Sequence, residues 1–138
     1  AAGGAFGTAL RQTGVGSLVA ALPDLRGLGL LTLAWAATLA VRTAQGSATV
    51  AMVVAAGLVG SAIPESGVHP VWVACAIGCG SKAIAWMNSS GFWVVARAGG
   101  LTEREALATF TPLTIVLAVA GLAVTLMGAW LWPTLWTS

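Results

Sequence analysis

Charge is scarce in this chain. Of its 138 residues six are Lys or Arg, four are Asp or Glu and one is His, so that 7% are charged, where a soluble domain carries about a quarter. That scarcity excludes an ordinary solvated surface. The net charge of +2 is spread along the loops and gives no electrostatic footprint for nucleic acid. Tyrosine is absent and there are two cysteines, Cys75 and Cys79, four apart on one helix face. Two thiols and a lone His69 in a proline-flanked turn fall short of the three or four donors that zinc takes. The cysteines are therefore expected to be small packing residues, with neither a metal nor a cofactor. No carboxylate lies inside an apolar segment, which argues against a small oligomeric exporter or channel that trades a cation for protons. No histidine is placed to serve Ser47 or Ser90 as a general base, which argues against an intramembrane serine protease.

Apolar residues are what the chain has in abundance, 58% of the total, at a mean hydropathy of +0.93. The class that follows is an all-α integral membrane protein, several times spanning, with the lipid bilayer as its principal partner. Frequent glycine and alanine fit helices that approach closely in lipid, where apolar burial alone does not drive association.

The apolar region 27–63 organises the rest. As a single helix it would be about 55 Å long at about 1.5 Å per residue, against a hydrocarbon core of about 30 Å, so it must break or fold back. The polar knot Gln45-Gly46-Ser47-Ala48-Thr49 marks the place. The two arms of about 15 residues are each shorter than the roughly 20 of a full span, which favours a re-entrant hairpin or broken helix. Two tilted spans joined by a short loop carrying Arg42 and Gln45 are the alternative. Irregular backbone at membrane depth survives only where protein or a water-lined cavity satisfies its polar groups, and such interruptions point to transporter sites.

Segments are also expected at residues 1–10, 71–87 and 103–132, with a loop over residues 11–26. Pro64-Glu65-Ser66-Gly67 and His69-Pro70 form a turn that two prolines close to helix continuation. Gly78-Cys79-Gly80-Ser81-Lys82 is a weak point near the middle of the 71–87 segment, and it is no phosphate loop, because Ser precedes Lys and Ala follows it. Lys82 is costly at membrane depth and must either reach the nearer surface or face a polar cavity. Asn88-Ser89-Ser90-Gly91 is a second polar knot. Thr102 and Glu105 fit a capping box that starts a helix. Residues 111–132 carry no charge and are long enough to span, with Trp130, Trp132 and Trp136 as an interfacial belt.

Several blocks in order carry a resemblance: Gly3-Gly4-Ala5-Phe6-Gly7, Ala44-Gln45-Gly46-Ser47-Ala48-Thr49-Val50-Ala51-Met52 with Ala55-Ala56-Gly57-Leu58, Asn88-Ser89-Ser90-Gly91-Phe92-Trp93, and Gly100-Leu101-Thr102-Glu103. They closely resemble the C-terminal part of the gluconate permease family, GntP. The resemblance implies a multi-pass transporter of the bacterial inner membrane that takes up gluconate or a related small hydroxy-carboxylate with protons. It implies a chain that is the last third of a longer protein, partnered by a missing N-terminal part; a homo-oligomer is a further partner to be considered. A C-terminal remnant without transport is the alternative. The wider superfamily builds sites from re-entrant hairpins with Ser/Thr-rich tips. The family's usual block has an acid where this chain has Ser89, and Trp86 stands where several members carry a histidine, which puts proton coupling and substrate identity in question.

A sugar acid presents one carboxylate and several hydroxyls. Helix N-termini supply anion stabilisation through free amides and about half a positive charge. The expected substrate-binding residues are Gln45, Gly46, Ser47, Thr49, Asn88, Ser89, Ser90 and Gly91. Arg42 and Lys82 are accessory candidates, and an arginine at a segment end more often reaches for headgroups.

Overall fold

Most of the apolar stretches form helices, and glycine marks several of the places where they stop. The computed structural model of the chain describes residues 27–132. The expected segment at residues 1–10, the loop over residues 11–26 and Trp136 lie outside the described residues. Among the described residues there are six helices and no strand: α1 Leu28–Gln45, α2 Ala48–Val59, α3 Ile63–Ser66, α4 Pro70–Gly80, α5 Ser90–Ala98 and α6 Glu103–Leu131.

In α1, Thr32, Thr38 and Thr43 donate their hydroxyls to the carbonyls of Gly29, Ala34 and Leu39. Those back-bonds let threonine sit in an apolar helix without an unpaired donor. The buried residues Leu30, Leu31, Ala34, Thr38 and Arg42 recur every three or four positions and make one stripe. α1 ends at Gly46, whose φ of 75° is left-handed and whose N–H donates to the Arg42 carbonyl at 2.8 Å. Ser47 then starts α2, its Oγ accepting from the Val50 N–H at 3.4 Å.

The break is thus two residues long, and the chain doubles back through it. The Gly27 N–H donates to the Ser66 carbonyl at 3.0 Å, which brings the far ends of the two arms together. α1 and α2 are an antiparallel hairpin, and Leu30, Leu31, Ala34, Ala55 and Val59 share one core with Val73, Ala76 and Ile77 of α4.

α4 starts on Pro70 with His69 as its N-cap, the Nδ1 accepting from the Val71 N–H at 3.3 Å. It lies so close to α1 that a Cβ on Gly80 would stand 2.6 Å from the Trp35 carbonyl oxygen. The helix stops at Gly80, well short of residue 87. Ser81 closes the last turn by donating its Oγ to the Gly78 carbonyl at 2.7 Å, and residues 81–89 then run irregularly to α5.

α6 is a continuous helix of 29 residues with Pro112 inside it. Its start is the expected capping box: Glu105 Oε2 accepts from the Thr102 N–H at 2.8 Å, and Thr102 Oγ1 accepts from the Glu105 N–H at 3.3 Å. Among the described helices it alone is long and apolar enough to cross a membrane. Two glycine notches seat it on α4, Gly121 beneath Cys79 and Gly128 beneath the Trp72 ring. Trp35 Nε1 donates to the Ala118 carbonyl at 3.1 Å and Trp72 Nε1 to the Trp132 carbonyl at 3.0 Å. The opposite face, with Leu113, Val116, Leu117, Val124, Met127 and Trp130, is exposed.

Candidate functional site

Two helix starts face each other across a cavity of about 490 Å³ lined by Arg42, Gln45, Gly46, Ser47, Ala48, Thr49, Asn88, Ser89, Ser90 and Gly91. That volume lies within the usual range of small-molecule sites, about 300–1,000 Å³. One side is the tip of the α1–α2 hairpin. The other is the end of the irregular stretch and the first turn of α5.

The tips touch through their backbones. A Cβ on Gly46 would overlap the Asn88 carbonyl oxygen, so position 46 needs glycine both for its left-handed φ and for this approach. The Thr43 carbonyl, orphaned because α1 stops two residues later, accepts from Asn88 Nδ2 at 2.8 Å and from Trp86 Nε1 at 3.3 Å. Asn88 and Trp86 therefore cap α1 from the opposite knot.

Arg42 lies one helical turn below the tip and is 7% exposed. Its Nε donates to the Ser81 carbonyl at 3.1 Å and its Nη2 to Ser89 Oγ at 2.9 Å. Among the described residues Nη1 is buried with no hydrogen-bond partner, and no carboxylate pairs with the guanidinium. The Ser81 carbonyl and the Ser89 hydroxyl account for two of the three nitrogens. They leave the third, and a buried charge without a counter-charge costs several kcal/mol.

Ser89 is the N-cap of α5 by position, yet its hydroxyl makes no capping bond and accepts from Arg42 Nη2. The first-turn amides of α5 are consequently left uncapped by that side chain. At α2, Ser47 Oγ takes one amide, and the others of the first turn have no partner within the helix. The cavity joins a delocalised cation to two helix N-termini, an arrangement that attracts an anion. Neutral amide and hydroxyl groups of Gln45, Thr49 and Ser90 line the remainder.

The expected residues Gln45, Gly46, Ser47, Thr49, Asn88, Ser89, Ser90 and Gly91 thus line one space. Lys82 does not: it is exposed just after the end of α4 and lies outside the lining. Arg42, an accessory candidate that could also reach for headgroups, is turned inward, buried and part of the lining. Its spacing was the available signal, since four residues before Gly46 puts it on the face of α1 that leads to the tip. Cys75 is exposed and Cys79 partly buried, both as free thiols. Among the described residues no group of metal-binding side chains occurs.

Comparison with known proteins places this geometry in a family. The chain is 39% identical over 127 residues to the inner membrane permease YgbN of Escherichia coli, an overlap of 90% of this chain and 28% of that protein. It is 39% identical over 125 residues to the gluconate permease of Bacillus licheniformis, covering 91% of this chain and 28% of the relative. It is also 34% identical over 122 residues to the L-idonate transporter of the Gnt-II system of E. coli, covering 88% of this chain and 28% of the relative. The chain thus spans about 28% of the length of these curated relatives. No solved structure gives a significant match. The GntP family permease model matches residues 1–131, and the chain belongs to the GntP family of permeases.

Proposed function

We propose that the complete protein carrying this chain is a secondary transporter of small hydroxy-carboxylates in a bacterial inner membrane, and that the cavity between the two knots holds the substrate's carboxylate end. The observation that carries this is Arg42, buried at the cavity with Nη1 unpartnered among the described residues. A substrate carboxylate supplies the missing counter-charge, and the first-turn amides of α2 and α5 add donors around it. Gln45, Thr49 and Ser90 then face the hydroxyl-bearing carbons. Relatives named for gluconate and L-idonate support an acid with several hydroxyls.

The α1–α2 hairpin is re-entrant in this proposal. Its arms of about 27 and 18 Å are shorter than the hydrocarbon core of about 30 Å, and both return to one end. Lipid and the rest of the transporter cover the exposed face of α6. Uptake with protons belongs to the proposal through the family alone. Among the described residues that line the cavity there is neither a carboxylate nor an imidazole.

The test is uptake of ¹⁴C-gluconate by cells lacking their own gluconate permeases and expressing the complete protein. Unlabelled gluconate and L-idonate should compete, and uncharged glucose should not. Equal competition by glucose would contradict a site built on a carboxylate.

A further inference from the structure

Residues 81–89 are irregular, yet Ser81, Ala83, Ala85 and Ser89 are buried within them, and buried backbone N–H and C=O groups need partners. Within the stretch Ile84 has a φ of 42°, a left-handed conformation that is strained for a β-branched residue. Something outside the segment must hold it. On α6, Thr111 Oγ1 donates to the Ala85 carbonyl at 2.7 Å, and Thr114 Oγ1 accepts from the Ala85 N–H at 3.2 Å. The Thr114 hydroxyl donates its own proton to the Thr111 carbonyl at 2.8 Å, which fixes it as the acceptor towards Ala85. Two hydroxyls flanking Pro112 thus grip both polar groups of one residue, as a neighbouring β-strand would.

Ala85 is followed at once by Trp86, which caps the Thr43 carbonyl, then by Asn88, which caps the same atom, and by Ser89, which holds Arg42. None of the three can keep its place if the backbone at Ala85 moves. We infer that Thr111 and Thr114 are positioning residues of the anion site: through Ala85 they set where Ser89 and the first turn of α5 stand relative to Arg42. The inference rests on the carboxylate-site reading above. It makes the membrane-spanning helix part of the site without lending the site a side chain, since neither threonine lines the cavity.

The experiment compares Thr111→Val/Thr114→Val with Thr111→Ser/Thr114→Ser in the complete protein, measuring ¹⁴C-gluconate uptake against concentration and normalising to transporter in the membrane. The valine pair keeps shape and removes both hydrogen bonds, so KM should rise about tenfold, the equivalent of about 1.4 kcal/mol, with the maximal rate per transporter little changed. The serine pair should restore KM. If the double valine protein fails to reach the membrane, the two single valine variants carry the same comparison, each against its serine counterpart. A wild-type KM in the valine variants, or equal impairment by serine and valine, overturns the inference. Arg42→Gln in parallel separates the two levels. Loss of uptake there with normal KM in the valine variants removes only the positioning role, whereas unimpaired uptake in Arg42→Gln removes the site itself.

Discussion

Arg42 and Ser89, 47 positions apart in the chain, meet across the two helix breaks through a hydrogen bond of 2.9 Å from Nη2 to Oγ. The bond ties the hairpin tip to the second knot. Ser89→Ala removes the acceptor and leaves two guanidinium nitrogens without partners. A hydrogen bond to a charged group contributes about 1.5–3 kcal/mol. The KM for gluconate should accordingly rise at least tenfold, and Ser89→Thr, which keeps a hydroxyl, should recover most of the loss. A concentration series of uptake rates checks this.

Gly46 and Gly67 both have left-handed φ, 75° and 70°, but a Cβ meets the Asn88 backbone at the first and nothing within 4 Å at the second. Alanine at either position incurs backbone strain of about 1–2 kcal/mol. Only Gly46→Ala also drives the two tips apart. Thermal unfolding in detergent should show a small loss for Gly67→Ala and a larger one for Gly46→Ala, and only the latter should abolish uptake.

Ser47 and Thr49 sit two residues apart at the start of α2 with different duties. Ser47 caps the helix, so Ser47→Ala should lower stability by about 1 kcal/mol as well as weaken uptake. Thr49 is exposed at the cavity, so Thr49→Ala should weaken uptake with stability unchanged. The double variant should abolish uptake while membrane levels stay normal.

The hairpin's turning point was legible in the sequence because its signal is local: an apolar run too long for one helix, with Gly46-Ser47 at its middle. The capping box at Thr102 was legible for the same reason. The role of Arg42 was not, since both of its partners, Ser81 and Ser89, lie in another segment and no local rule places them beside it. The end of α4 at Gly80 showed in the sequence as a weak point in the 71–87 segment, but not as a stop. Residues 83–87 are apolar enough to continue a helix, and it is Thr111 and Thr114, more than twenty residues on, that satisfy the backbone in another conformation. The two polar knots could each be recognised by composition, whereas their meeting at Gly46 and Asn88 is a tertiary fact.

Cys79 and Gly121 illustrate the packing on which α6 depends. A Cβ at position 121 would stand 2.6 Å from Cys79 Sγ, so Gly121→Ala should destabilise the protein by about 1–3 kcal/mol through overpacking. Cys79→Ala removes the sulfur and should be mild alone. Combined with Gly121→Ala it should restore much of the stability, a compensation that a double-mutant cycle of melting temperatures would reveal.

The most direct test is the binding of ¹⁴C-gluconate to the purified complete protein, measured at equilibrium for the wild type, Arg42→Lys and Arg42→Gln. Lysine keeps the charge but loses the fork that holds Ser81 and Ser89 together, so binding should weaken and persist. Glutamine removes the charge, and specific binding should disappear while the protein remains folded by its melting curve. Gluconate bound by folded Arg42→Gln with wild-type affinity would contradict the anion site between the two helix breaks.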